Sequence, residues 1–213
     1  MTVTVYGADF SVYTRSVRMT LFEKDIAYTL ATVDPFEGDV REHLMRNPFG
    51  KVPVLDWDGF QIYETSAILR FIDAQKSSPP LVPDDAEVCA RMEQIFSICD
   101  SYGFGAMVWS VYVEGTQKPS DFEPFDPDLV TKGLWETKRI LKAIEDLAGP
   151  GPYLVGADVS LADLHFASMI AYLKMSKDGA AVFDQSGRLK EWWDAMAARP
   201  SVIETQYPIE TGG

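Results

Sequence analysis

Val3 and Val5 alternate with Thr2, Thr4 and Tyr6, a two-residue period that predicts a strand over 2–6. Gly7 to Phe10 reads as a loop. From Ser11 the spacing changes: Val17, Leu21 and Phe22 stand four and five residues apart, which predicts a helix from Ser11 to about Asp25. Tyr28–Val33 reads as a second strand, closed by the turn residues Asp34-Pro35 and Glu37-Gly38-Asp39. A short helix over Arg41–Met45 stops at Asn47-Pro48, because the residue before a proline is pushed out of the helical region. Two short apolar strands, Val54-Leu55 and Phe60–Tyr63, flank the acidic turn Asp56–Gly59, and Thr65–Gln75 is again helical. The order βαβαββα over residues 1–76 predicts an open α/β sheet.

Ser77-Ser78-Pro79-Pro80 opens a linker, residues 77–86, after which no strand pattern returns. Val88, Met92, Ile95, Phe96, Cys99 and Tyr102 form one helical stripe, and Val130, Leu134, Leu141 and Ile144 another. Leu161, Leu164 and Ala167 belong to a third, and Leu189, Trp193 and Met196 to a fourth. Residues 87–213 therefore read as an all-helical domain, with the polar, proline-bearing stretch Glu114–Asp128 as an exposed loop.

Charge narrows the partners. With 19 basic and 32 acidic residues the formal charge is −13, which argues against nucleic acid or an anionic membrane surface. The longest apolar run, Phe104–Val113, is about ten residues, against ~20 for a membrane span. MTVTVYG shows no basic segment followed by an apolar run, so a cytoplasmic protein is expected. Cys89 and Cys99 lie in one predicted helix, about 15 Å apart along its axis. A disulfide needs Cα atoms within ~7 Å, so both are expected to be free thiols. His43 and His165 belong to no Cys/His cluster, and no metal site is expected.

Candidate chemistry gathers in Asn47–Ile68. A Pro-Gly loop, a hairpin and a helix start leave backbone N–H and C=O groups free for a small peptide-like ligand. Asn47-Pro48-Phe49-Gly50-Lys51-Val52-Pro53 resembles the loop before the third strand in the glutathione transferase family, and Glu64-Thr65 resembles that family's Glu/Gln-Ser/Thr pair. Tyr153-Leu154-Val155-Gly156 followed by Ser160-Leu161-Ala162-Asp163 is similar to its buried capping motif, a near-capping box with a structural role. The resemblance covers nearly the whole chain. It implies a thioredoxin-like N-terminal domain, an all-α C-terminal domain, glutathione as co-substrate and a homodimer in which Phe49 is a candidate anchor. Val52 would hold the cysteinyl backbone of glutathione across a cis bond to Pro53, an isomer that costs only about 0.5–1 kcal/mol before proline. Glu64 and Thr65 would hold the γ-glutamyl end at a helix N-terminus, where free N–H groups favour a carboxylate. Lys51 would face the glycyl carboxylate.

The activity implied is addition of the glutathione thiolate to small hydrophobic electrophiles. A thiol of pKa about 8.5 is mostly protonated at neutral pH, and the thiolate is the nucleophile. Lowering that value by two units takes about 2.7 kcal/mol. One hydroxyl donating to a charged acceptor supplies about 1.5–3 kcal/mol, and a helix N-terminus adds about 0.3–1. Gly7, Ser11, Thr14, Arg15 and Val17 match the spacing of the serine-type members, most closely the phi class of plants and its bacterial relatives, which makes Ser11 the activating hydroxyl. Ser11 is also the natural N-cap of the first helix. Tyr6, where tyrosine-type members keep their phenol, is the runner-up; Tyr13 and Thr14 are outsiders. The absence of cysteine before Cys89 disfavours the cysteine-dependent branch.

Two departures from the phi class stand out. Asp9 replaces the usual proline, and a carboxylate near the sulfur would oppose thiolate formation. Gly38-Asp39 replaces the His-Lys pair used on the glycyl carboxylate, which implies weaker glutathione binding or binding of that end through Lys51 alone. The electrophile pocket implied by the resemblance has Phe10, Phe104, Met107, Val108, Trp109 and Tyr112 as candidates, the helical domain closing against the loop after the first strand. Alternatives of the same fold are a glutathione-dependent peroxidase or isomerase, or a non-catalytic interaction protein.

Overall fold

A computed structural model describes residues 1–36 and 41–210, so Gly38-Asp39 lies outside the described residues. The described residues divide into two units, one within 1–82 together with 199–210, the other 83–198.

In the first unit the elements follow as β1 (Val3–Gly7), α1 (Val12–Glu23), β2 (Thr29–Thr32), α2 (Arg41–Arg46), β3 (Val54–Trp57), β4 (Phe60–Tyr63) and α3 (Thr65–Gln75). This is the expected βαβαββα order, thioredoxin-like. The sheet runs β2-β1-β3-β4, with β1 and β2 parallel and the other pairs antiparallel. Val3 and Val5 are buried while Thr4 and Tyr6 are only half-buried, the alternation a one-sided pleat requires. Helices α1 and α3 pack side by side, burying Val17, Leu21, Ile68, Leu69 and Ile72.

The expected division at 76/77 shifts, for physical reasons at both ends. Leu81 is buried and its N–H donates to Asp73 Oδ1 at 2.9 Å. The buried Lys24 ammonium reaches both Asp73, at 2.5 Å, and the Pro79 carbonyl. The Ser-Pro stretch is thus fastened to the first unit. So is the tail, α10 (Pro200–Ile203) and a 3₁₀ turn at Pro208–Glu210, which the sequence reading had placed in the helical domain. Arg15, 1% exposed, donates to Glu210 Oε1 at 2.7 Å and to the Val202 carbonyl at 3.0 Å, and stacks on the Tyr207 ring at 4.2 Å. Arg199 closes a two-pronged pair with Glu23 at 2.8 and 2.6 Å.

The second unit is helical: α4 (Ala86–Ile98), a π-helical stretch Cys99–Gln117, α5 (Lys118–Ser120), α6 (Pro127–Leu147), α7 (Leu161–Met175), α8 (Lys177–Phe183) and α9 (Arg188–Ala197). Its core is α7, buried from Leu161 to Leu173. Asp163 anchors the start of that helix, its carboxylate taking donors from Ser160 N, Leu154 N and Trp192 Nε1, each at 2.8 Å, and from Ser160 Oγ at 2.6 Å. Burial pushes this carboxyl up from its ordinary value while those donors oppose the shift. Neither Cys89 nor Cys99 is in a disulfide, and burial pushes the Cys99 thiol up, away from thiolate chemistry.

The expected exposed loop Glu114–Asp128 is mostly not one. The helix continues to Ser120, and Glu114 turns inward because Lys118, one turn on, pairs with it while the Asp126 N–H donates to it at 3.1 Å. The bond from Lys118, seconded by Asp126 N–H, holds Glu114 below the usual glutamate value. A depressed carboxylate stabilises above its unfolded value and loses that contribution as pH falls through the folded one. Glu114→Gln is accordingly expected to lower Tm at neutral pH, with the difference from wild type shrinking in acid; thermal melts across pH check it.

Candidate functional site

Register builds the site. Tyr6 lies opposite Val54, and Val54 opposite Tyr63, in adjacent strands. Neighbouring strands are about 4.8 Å apart, so the segments following β1, preceding β3 and following β4 emerge side by side at one end of the sheet. Those segments carry Ser11, Lys51-Val52-Pro53 and Glu64-Thr65. The three groups far apart in sequence are brought together within the first unit.

Ser11 is the N-cap of α1, extended at φ −80° and ψ 126°, its Oγ accepting from Thr14 N–H at 3.3 Å. A hydroxyl that accepts a cap bond keeps its proton, so capping and donation outward are compatible roles. Ser11 is half-buried, and no acidic residue occupies the first turn of α1. Thr14 is fully buried beside Gly7, where an added Cβ would stand 2.5 Å from Thr14 Oγ1; the close approach of this helix to β1 requires glycine there. Asp9 is half-buried in the same loop. Tyr6 is engaged elsewhere: the Arg46 guanidinium of α2 lies 4.2 Å over its ring and is itself bonded to Glu42 at 2.6 Å. The Glu42 bond, with a smaller share from Tyr6, raises the Arg46 pKa.

The loop ahead of β3 is organised by Asn47, which the sequence marks as a helix stop and as the first residue of the motif, without showing its bonds. Its Oδ1 accepts from Phe49 N–H at 3.0 Å, its carbonyl accepts from Gly50 N–H at 2.9 Å, and its Nδ2 donates to the Lys51 carbonyl at 2.7 Å. Gly50 takes φ 64°, open to glycine without strain. An Asn ahead of Pro-Phe-Gly is an Asx-turn signal that could have shown this. His43, also missed, places Nε2 2.9 Å from the same carbonyl. The Val52–Pro53 bond is cis. Pro53 is buried, Val52 half-buried and Lys51 exposed.

Glu64 stands at φ 72° and ψ 115°, outside the regions an L-residue prefers, and offers no side-chain cap to α3. The first N–H groups of this 11-residue helix thus receive no cap from the Glu64 side chain. Thr65, the first residue of the helix, is 8% exposed. Strain of this kind costs roughly 1–3 kcal/mol and collects at ligand clamps. Glu64→Gly is expected to raise Tm, by releasing that strain, while weakening glutathione binding; melting and calorimetry on the same protein check both signs.

Of the remaining candidates, Phe10 is 38% exposed and stacks on Phe36, with centroids 6.2 Å apart. Phe104 is half-buried and Trp109 is 41% exposed. Met107, Val108 and Tyr112 are enclosed at 0, 5 and 3% exposure, Tyr112 against Tyr172 at 4.5 Å, so they present little surface of their own. Phe49 is 68% exposed, its ring edge-on to Tyr63. His165 pairs with Asp100 at 2.9 Å and stacks on Phe96, which accounts for it structurally.

A thioredoxin-like sheet with a cis-proline loop and an uncapped helix N-terminus, joined to a helical unit, defines a class: the thiol-ligand-binding transferases of this architecture. Family models agree. Residues 5–80 match the glutathione S-transferase N-terminal domain and residues 112–204 the glutathione S-transferase C-terminal domain. The chain is 32% identical to glutathione S-transferase hmp2 of Hypomyces subiculosus, with 96% of this chain and 97% of that protein covered. It is 29% identical to glutathione S-transferase 4 of Zea mays, with coverages of 99% and 94%. Among solved structures, glutathione S-transferase I from mais in complex with an atrazine glutathione conjugate superposes with a TM-score of 0.82 at 25% identity, 96% of each chain covered. The chain belongs to the glutathione S-transferase family.

Proposed function

We propose that this protein conjugates the glutathione thiolate to small hydrophobic electrophiles, with the Ser11 hydroxyl donating to the sulfur. The observation that carries the reading is the register that sets Ser11, Val52 and the N-terminus of α3 at one end of the sheet. In this reading Val52 N–H and C=O pair with the cysteinyl backbone, with Pro53 turning the chain at its side. Glu64 and Thr65 receive the γ-glutamyl end, Thr65 and its neighbours through α3 N–H groups. Lys51, exposed and without an ion pair among the described residues, meets the glycyl carboxylate.

Ser11 is favoured over Tyr6 because its proton is uncommitted within the helix cap, whereas the Tyr6 ring is covered by Arg46. The electrophile contacts proposed are Phe10 in the first unit and Phe104, Met107, Val108, Trp109 and Tyr112 in the second; of those in the second, Phe104 and Trp109 keep the most exposed surface. That the relative from mais holds an atrazine conjugate supports an aromatic acceptor of this general kind. Cytoplasmic location and a homodimer, with Phe49 as anchor, belong to the same proposal; no described helix is long and apolar enough to cross a membrane. Calorimetry with glutathione, followed by conjugation of a general aryl halide, tests it. Binding with turnover supports the reading; no binding at millimolar glutathione overturns it.

A further inference from the structure

His43 is 3% exposed on α2, and its Nε2 lies 2.9 Å from the Lys51 carbonyl. Asn47, 2% exposed, donates to that same carbonyl at 2.7 Å. A carbonyl oxygen offers two lone pairs, so both are taken, and both donors are buried. Because a carbonyl only accepts, His43 carries its proton on Nε2. The bare Nδ1 is then a buried acceptor, and it has no hydrogen-bond partner among the described residues. A buried polar atom left unpaired is destabilising. A phenyl ring would fill the same space without that penalty, so what the imidazole adds is its bond to Lys51.

That bond reaches further than Lys51. The Lys51 C=O and the Val52 N–H belong to one planar peptide unit. The cis bonds of the described residues are Val52–Pro53 and Ser78–Pro79, so Lys51–Val52 is trans and its C=O and N–H point in opposite directions. Holding the carbonyl inward from two sides therefore aims the Val52 N–H outward. We propose that His43 is a positioning residue for glutathione: with Asn47 it clamps the Lys51–Val52 peptide plane so that the Val52 N–H is preset for the ligand. The role of Val52 in this proposal rests on the function proposed above.

His43→Phe removes the donor and keeps a flat ring, while His43→Gln restores an N–H near the position of Nε2. Relative to wild type, His43→Phe is expected to weaken glutathione binding about fivefold and to raise the glutathione KM alike with kcat unchanged, and His43→Gln to recover to within about twofold, the scale of one neutral hydrogen bond. In ligand-free protein the Lys51 carbonyl carbon and Val52 amide chemical shifts should move in His43→Phe and return in His43→Gln. Wild-type glutathione affinity in His43→Phe, or unmoved Lys51 and Val52 shifts, overturns the clamp alone. Equal loss in both variants with a lowered Tm makes His43 merely structural and overturns it too. If wild type itself fails to bind glutathione, the proposed function falls, and the clamp's purpose with it.

Discussion

Ser11→Ala is expected to lower kcat/KM for an aryl electrophile by tenfold or more while glutathione binding survives. A hydroxyl donating to a thiolate is worth about 1.5–3 kcal/mol, and each 1.4 kcal/mol is about tenfold in rate. The glutathione contacts assigned to Val52, Glu64 and Thr65 are untouched by the change. Ser11 also caps α1, through the bond from Thr14 N–H at 3.3 Å, so alanine costs about 1 kcal/mol of stability as well. Glycine at an N-cap costs only a few tenths of a kcal/mol relative to serine. Ser11→Gly should therefore match alanine in lost turnover but melt close to wild type. Steady-state kinetics and melting curves on both variants separate the two roles. Full turnover in either variant would remove Ser11 from the chemistry.

The second large effect lies far from that chemistry. Asp163→Asn is expected to destabilise the helical unit by about 3 kcal/mol or more, since each buried group left unpaired costs about 1–3 kcal/mol. Three N–H groups, from Ser160, Leu154 and Trp192, and the Ser160 hydroxyl converge on one buried carboxylate. An amide can face only part of that set with an oxygen and turns its NH₂ toward the remaining donors. The corresponding fall in Tm is on the order of 10 °C for a unit of this size. At low temperature, where the fold persists, kinetic constants should stay near wild type. A Tm shift of a degree or two would show the carboxylate to be dispensable.

The sheet and its hairpin were legible because Val3/Val5 alternation, Asp56–Gly59 and the break at Asn47-Pro48 are local signals, each tied to a backbone preference. The return of the tail was not legible. It depends on Arg15 meeting Glu210 across 195 residues, and no periodicity reports such a pair. The π-helical stretch was hidden for another reason. Its backbone bonds reach five residues back instead of four, and side-chain type along the chain does not report that difference. The bond from Lys118 N–H to the Val113 carbonyl is one of them. Glu114 looked like loop because its charge reads as exposed; a partner one turn away brings it inside.

Within the site, the motif residues were legible as a string, and the strand register explains why the string matters. What the string concealed was its support. Asn47 passed for a helix stop and His43 for an isolated histidine, yet both bond the Lys51 carbonyl. Side-chain-to-backbone bonds of this kind depend on how a loop folds back on the preceding helix, which single-residue signals do not carry. Met107, Val108 and Tyr112 illustrate the converse, since an apolar stretch does not reveal which members face inward.

The central claim is that Ser11 stabilises a bound thiolate, and the most direct measurement is the ultraviolet absorbance of glutathione thiolate on the protein as pH is varied. Wild type should show half-ionisation about two pH units below the free thiol value of about 8.5, and Ser11→Ala should return most of that difference. Identical titration curves in the two proteins would contradict the account.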